Sequence, residues 1–162
     1  MWYTTLFRPT QNLMDKLATE SNIRIPERGL HCTLWGFASD EEREKEVIEA
    51  LRNITICSFA TEVLGFDNFD ESSYVIRLKN VEELQRLHSE ILRVSRAFDR
   101  DTTKFDTMAA KYGLERYNPH ITIAKTVLSL SQEYKGVSME IEYYSLLKKK
   151  NGIWQSVADF NF

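Results

Sequence analysis

The sequence has little of several residue types, and each scarcity excludes a class of protein. Among 162 residues there are 2 cysteines, 6 glycines and 3 prolines. Two cysteines do not make a disulfide or zinc framework, so we expect Cys32 and Cys57 to be reduced and structural. So little glycine and proline excludes collagen-like and low-complexity chains. No apolar run approaches the roughly 18 residues of a membrane-spanning helix. The composition is that of a soluble globular protein.

The chain also lacks an excess of positive charge. Its 21 basic and 24 acidic residues give a formal net charge of −3. Proteins that bind duplex nucleic acid need a strong positive field, so we expect no duplex DNA as a partner. A small phosphate-bearing ligand needs only a few local cations. The first residues lack the charged start and apolar stretch of a secretory signal, which predicts a cytoplasmic protein with no membrane partner.

Apolar periodicity predicts an α+β fold in a single domain over residues 1–162, because no linker divides the chain. Segments rich in aromatic and β-branched residues are expected to be strands: 2–8, 29–37, 54–66, 73–79, 119–126, 137–147 and 153–161. The last two form a predicted hairpin, with Asn151-Gly152 in a type I′ turn. Helical stripes are expected at 13–18, 40–52 and 80–98. Ser39-Asp40-Glu41-Glu42 is a predicted capping box, and 99–117 a predicted loop with at most one helical turn.

Two of the three histidines occur in the same short frame, His31-Cys32-Thr33-Leu34 and His120-Ile121-Thr122-Ile123. Residues i and i+2 of a strand point to the same face, so each frame sets an imidazole beside a hydroxyl. Two such strands brought together would line a cleft with two imidazoles and two hydroxyls. That set suffices for phosphoester cleavage, since it supplies a base, an acid and donors for phosphate oxygens.

The repetition makes this frame informative. Shuffling the chain would place threonine at +2 and an aliphatic residue at +3 after two of three histidines in roughly one arrangement per thousand. The alternative interpretation is that both histidines are half-buried strand residues without chemistry. His88 has no such frame and lies at the edge of a helical stripe, so we expect it to be structural.

The paired frames resemble the two-histidine (2H) phosphoesterase superfamily, which includes LigT, 2′-5′ RNA ligase-like proteins and cyclic nucleotide phosphodiesterases. The resemblance covers nearly the whole chain. It includes the segment 119–125 (PHITIAK), in which Lys125 stands where a basic residue is usual. It implies a bilobal, pseudo-two-fold fold, in which two antiparallel β-sheets with helices on the outside face a central cleft. After His31 the chain departs from the ligase-like branch, because it reads Leu34-Trp35-Gly36-Phe37.

The resemblance implies metal-independent attack, without a cofactor, on a nucleotide or RNA-end phosphodiester, either a 2′,3′-cyclic phosphate or a 2′-5′ linkage. One histidine would activate water or a ribose hydroxyl, the other would protonate the leaving oxygen, and Thr33 and Thr122 would hold phosphoryl oxygens. Free imidazole titrates near pH 6.5, so either ring can fill either role. We take His120 as the base and His31 as the acid, although the pseudo-symmetry leaves the assignment open.

Other residues are expected to bind substrate, each with packing or solvation as the ordinary alternative: Lys125, Tyr3, Trp154, Tyr144 and Arg116. Three other functions stay open. The protein could degrade a signalling oligonucleotide such as 2′,5′-oligoadenylate or a cyclic oligonucleotide. It could bind a nucleotide with little turnover, or serve as a protein-interaction domain whose frames are coincidental. The expected partner is a small nucleotide or oligonucleotide, including RNA ends, and we expect a monomer.

Overall fold

Antiparallel strands form the centre of the structure, a computed structural model that describes residues 1–20, 23, 29–69, 73–124 and 133–162. The strands in these residues are β1 (Trp2–Phe7), β2 (Cys32–Ala38), β3 (Phe59–Phe69), β4 (Ser73–Leu78), β5 (His120–Ala124), β6 (Ser138–Ile141), β7 (Tyr143–Lys150) and β8 (Ile153–Asn161). They are hydrogen-bonded in the order β6-β3-β4-β5-β2-β1-β7-β8. His120 therefore begins one of the two central strands, β5, and His31 immediately precedes the other, β2.

The sheet consists of two four-stranded halves, β6-β3-β4-β5 and β2-β1-β7-β8. They meet at a short junction, in which Cys32 of β2 pairs with Ile121 of β5. Each half contributes one histidine frame, as the pseudo-two-fold arrangement requires. The α+β class, the antiparallel strands and the outer helices are confirmed, while the two expected sheets are continuous with each other through this junction.

The helices of the described residues lie outside the sheet: α1 (Gln11–Ala18), α2 (Glu44–Arg52), α3 (Glu82–Phe98) and α4 (Thr102–Tyr112). The predicted stripe of α3 is confirmed, because Leu84, Leu87 and Ile91 are fully buried. They pack in one core with Cys32 and Ile121 of the central strands. Burial of these side chains stabilises the packing of α3 against one face of the sheet. The site lies on the opposite face. Among the helices of the described ranges, none has both the length and the apolar character to cross a bilayer.

The segment 137–147 is two strands rather than the single predicted one. β6 pairs with β3, whereas β7 pairs with β1 and β8. Only Glu142 separates these two strands, although they belong to opposite halves of the sheet, so the sheet must curl to bring them together. The predicted β7–β8 turn is confirmed, since Asn151 and Gly152 have φ values of 51° and 83°.

Two further local predictions were wrong. Residues 102–112 of the predicted loop form α4, in which Phe105 is the one buried side chain, too weak a stripe to predict a helix. The predicted capping box does not form. Ser39 is buried next to the start of β1, where its amide donates a hydrogen bond to the Met1 carbonyl. Its hydroxyl has no hydrogen-bond partner within the described residues. The expectation that both cysteines are structural was wrong for Cys57, which is exposed, whereas Cys32 is buried.

Candidate active site

The junction between β2 and β5 brings the two histidine frames together. Cys32 and Ile121 are paired, and both are completely buried on the helix side of the sheet. Side chains alternate along a strand, so the residues that flank this pair project from the opposite face. His31, Thr33, His120 and Thr122 therefore share one face, and all four are half-buried or exposed.

The register of the junction sets the spacing within this group. In an antiparallel pair the residues on either side of Cys32–Ile121 come opposite each other, Thr33 facing His120 and His31 facing Thr122. Directly opposite side chains have Cβ atoms about 5 Å apart, and diagonal ones about 7–8 Å. The two histidines occupy a diagonal. Two imidazoles at that separation can reach opposite sides of one phosphate group.

Both imidazoles are held in the same way. His31 Nδ1 lies 2.7 Å from the Gly29 carbonyl oxygen, and His120 Nδ1 lies 2.8 Å from the Asn118 carbonyl oxygen. A carbonyl oxygen only accepts, so Nδ1 carries the hydrogen in both rings and Nε2 is the nitrogen that gains or loses a proton. Gly29 suits its place, because its φ of +72° lies in the left-handed region that favours glycine.

Apolar residues border the four side chains within the sheet. Leu6 of β1 pairs with Thr33, and Val75 of β4 pairs with Thr122. Both are completely buried, and neither belongs to the core on the helix side. An apolar surround lowers the local dielectric constant, so hydrogen bonds and charges directed at a bound phosphate act more strongly there than in water.

A cavity of about 620 Å³ opens beside Thr33 and His120. Its lining is mainly apolar and includes Trp2, Trp35, Phe69, Met108 and Tyr112, with Arg116 and Asn118 as polar members. The Phe69 ring meets the His120 ring edge-on, with their centroids 4.7 Å apart. The cavity is large enough for a small organic group and contacts only one end of the diagonal histidine pair.

Buried groups behind the sheet support both frames. The Tyr117 hydroxyl donates to the Thr33 carbonyl and lies 3.6 Å from Cys32 Sγ. Its ring stacks on His88 at 3.8 Å. His88 Nδ1 donates to the Leu34 carbonyl, while Nε2 accepts from the Leu114 amide. Burial lowers the pKa of His88 to about 4 and raises that of Cys32 to about 12. The expected structural role of His88 is confirmed, and it ties β2 to the segment that leads to His120.

Two predicted substrate-binding aromatics are wrong, because both lie in the core. Tyr3 is 0% exposed, stacks on Phe37 and donates to Glu44. Tyr144 is 1% exposed, and its hydroxyl donates to the Leu51 carbonyl. Neither ring can stack on a ligand. In β1 it is Trp2 and Thr4, not Tyr3, that line the cavity.

The other predicted binding residues have separate outcomes. Arg116 is exposed and lines the cavity, so it stays a candidate. Trp154 pairs with Lys149, which pairs with Trp2, so it shares the face of Trp2 but lies two strands from β1 and outside the cavity lining. Lys125 lies outside the described residues.

Sequence reasoning missed Trp2, Phe69 and Tyr112. Trp2 could have been predicted from the sequence, because strict alternation in β1 puts residues 2 and 4 on one face and residue 3 on the other. Tyr112 belongs to the helix that was expected to be a loop. The position of Phe69 beside His120 depends on how far the β3–β4 hairpin extends. As for metals, the described residues contain no group of three or more His, Cys, Asp or Glu side chains placed to hold an ion.

The chain is similar to known proteins in sequence and in fold. A family model described as the 2′-5′ RNA ligase superfamily matches residues 7–139. The fold is similar to TT0787 of Thermus thermophilus, with 16% identity over 99% of this chain and 97% of that one, at a TM-score of 0.72. It is also similar to LigT of E. coli in its apo form, with 14% identity over 99% and 96% of the two chains, at a TM-score of 0.64. No curated protein sequence matches the chain.

Proposed function

The chain belongs to the 2′-5′ RNA ligase superfamily, and on that premise we propose that it is a metal-independent phosphodiesterase that hydrolyses a nucleotide or RNA-end phosphodiester. The substrate is a 2′,3′-cyclic phosphate or a 2′-5′ linkage. The observation that carries this proposal is the pairing at the strand junction, which sets His31 and His120 on the diagonal of one small group with Thr33 and Thr122. The equivalent Nδ1 contacts of the two rings support Nε2 as the nitrogen that transfers the proton in each.

The proposed chemistry uses one imidazole on each side of phosphorus. A neutral ring takes a proton from water as the water oxygen attacks phosphorus. The bond between phosphorus and one ribose oxygen then breaks, and the other ring, protonated at the start, gives its proton to that leaving oxygen. The product is a phosphate monoester. Hydroxyl groups of Thr33 and Thr122 donate to the non-bridging oxygens, whose negative charge grows in the transition state.

The cavity beside His120 supports a nucleoside as the organic part of the substrate. Its exposed aromatic groups, Trp2 and Tyr112, suit the flat face of a nucleobase, and stacking of this kind tolerates any base. LigT of E. coli has been crystallised with 3′-AMP, with ATP and with phosphate. Those ligands agree with a site that accepts a phosphate together with a nucleoside.

The proposed function predicts which compounds the protein hydrolyses. In the presence of EDTA we expect turnover of a 2′,3′-cyclic mononucleotide or of a 2′-5′ dinucleotide. Separation of the products from the substrate measures this turnover. Glycerol 1,2-cyclic phosphate has the same reactive ring but no base, so we expect its KM to be at least tenfold higher because it leaves the cavity empty. A cyclic dinucleotide and 2′,5′-oligoadenylate in the same panel test the signalling alternative.

Each outcome of this panel is informative. Hydrolysis of the cyclic mononucleotide in EDTA supports the proposal. Hydrolysis of only the cyclic dinucleotide or oligoadenylate moves the substrate class to signalling oligonucleotides. Tight binding of AMP without turnover of any compound contradicts the enzyme and favours a nucleotide-binding module. Loss of activity in EDTA that Zn²⁺ or Mn²⁺ restores contradicts the metal-independent mechanism.

Removal of an aromatic wall should weaken substrate binding rather than chemistry. Trp2 is 42% exposed, and its ring lies against Gly36, 3.0 Å from where a Cβ on that residue would be. Base–aromatic stacking contributes about 1–3 kcal/mol, so Trp2→Ala should raise the KM for a cyclic nucleotide by about tenfold or more. The kcat should change little, and the KM for glycerol 1,2-cyclic phosphate should not change. Tyr143→Ala is the matched control, an exposed aromatic outside the cavity. Equal KM increases for both substrates would contradict a base-stacking role.

A further inference from the structure

Arg77 lies beside the histidine pair on the neighbouring strand. Arg77 of β4 is the cross-strand partner of His120 in β5, and the register of the Cys32–Ile121 pair puts His120 opposite Thr33. Paired residues project from the same face, so Arg77 shares the face of the four frame residues. Opposite side chains start about 5 Å apart at Cβ, and an arginine side chain is long enough to cross that distance.

Most N–H donors of the Arg77 guanidinium have no acceptor among the described residues. Its one described contact is from Nη1 to Asp67 Oδ2 at 3.4 Å, the long end of an ion pair. Nε is buried and has no hydrogen-bond partner in the described part of the chain. Arginine carries five N–H donors in a planar fork that fits two oxygens of a phosphate. Turning the group toward the site would give up one weak contact and could give the unpartnered Nε–H an acceptor.

The Arg77–Asp67 pair is poorly suited to a purely structural role. Both side chains are more than 40% exposed, at 43% and 44%, and exposed pairs of this kind add little to stability. Asp67 is itself fixed, since its other oxygen accepts from the Asn68 amide. Opposite Arg77 on β3 is Gly65, and in the described part of the chain no atom apart from its chain neighbours lies within 4 Å of a Cβ added there. The guanidinium therefore has open space on the side away from His120, and room to change its rotamer.

We propose that Arg77 is a further phosphate-binding residue, which donates from its guanidinium to a non-bridging oxygen of the anion held between His31 and His120. Asp67 holds the side chain when no anion is present, and the phosphate replaces that carboxylate. Because negative charge on the non-bridging oxygens increases as water attacks, this donor acts most strongly in the transition state. The catalytic half of this inference rests on the proposed phosphodiesterase function, whereas the binding half does not.

The test compares Arg77→Met with Asp67→Asn and measures the binding of inorganic phosphate by titration calorimetry. Arg77→Met should weaken phosphate binding by at least tenfold. Asp67→Asn removes a competing carboxylate, so it should leave phosphate binding equal or tighter. Lys79→Met is the matched control. Lys79 lies two residues after Arg77 and pairs with Glu62, so its replacement also removes one positive charge. It should change phosphate affinity by less than twofold.

Weaker phosphate binding in Arg77→Met together with equal or tighter binding in Asp67→Asn supports a phosphate contact, and a loss in both variants or no change in Arg77→Met overturns it. If Arg77→Met does not fold, Arg77→Lys replaces it, with an expected loss of about threefold to tenfold, and unchanged affinity overturns the proposal. In kinetics, Arg77→Met should lower kcat for a 2′,3′-cyclic nucleotide by about a hundredfold, more than it raises KM. A wild-type protein without turnover would contradict the proposed function, while the phosphate titration would still decide the role of Arg77.

Discussion

Replacement of either His31 or His120 by alanine is expected to reduce kcat for a 2′,3′-cyclic nucleotide by about a thousandfold. General acid–base catalysis contributes about 10²–10⁴ in rate, and in the proposed mechanism each ring supplies one half of it. The two rings are half-buried on the open face, so their removal leaves the core on the helix side intact. Melting temperature and phosphate binding, measured beside kcat, separate a chemical effect from misfolding.

The pairing of the two rings makes this prediction sharper. The double variant should lose little more than either single variant, because groups that act as a unit are not additive. The wild-type pH–rate curve should be bell-shaped, since one ring must be neutral and the other protonated, and each single variant should lose one limb. Full activity in one of the two single variants, or a flat profile from pH 5 to 9, would show that the frames do not act together.

The largest expected effect on stability concerns His88. Burial holds its pKa at about 4, whereas an unfolded histidine titrates near 6.5. Between these values the unfolded chain binds a proton that the folded chain does not, so stability falls as the pH is lowered from about 6.5 to about 4. The loss from this one residue is about 3 kcal/mol. Urea unfolding at pH 7, 5.5 and 4.5 measures it.

The hydrogen bonds of His88 explain why the proton is excluded. Nε2 accepts from the Leu114 amide, and a proton on that nitrogen would face another donor. His88→Gln keeps a donor and an acceptor but cannot be charged, so it should be less stable than the wild type at pH 7 and lose less stability than the wild type on acidification. Parallel pH profiles for the two proteins would contradict a buried, neutral imidazole. Because Leu114 begins the turn that leads to His120, acid should also reduce activity reversibly.

The elements with strong apolar patterns could be predicted from the sequence. The stripe of α3 is an example, and the Asn151-Gly152 turn is another, because both depend on residues close together in the chain. The α4 helix could not be predicted in the same way, since Phe105 alone packs into the core. The split of 137–147 depends on strand partners more than 60 residues away, which no local pattern contains.

The candidate site shows the same division. The four frame residues were identifiable because their chemistry repeats, and strand alternation alone puts each His and Thr on one face. Tyr3 and Tyr144 were misjudged because aromatic character does not say which face of a strand is buried. Arg77 was not identifiable, since its position beside His120 follows from the β4–β5 register. The residues that long-range strand register brings to the site therefore could not be predicted from local sequence patterns.

A crystal structure with bound inorganic phosphate is the most direct measurement of the central arrangement. A single phosphate should lie between the rings, with Nε2 of His31 and Nε2 of His120 each within about 3.2 Å of one of its oxygens and a threonine hydroxyl on another. An anion held by only one of the two rings, or Nε2 atoms too far apart to share it, would contradict a two-histidine mechanism in this protein.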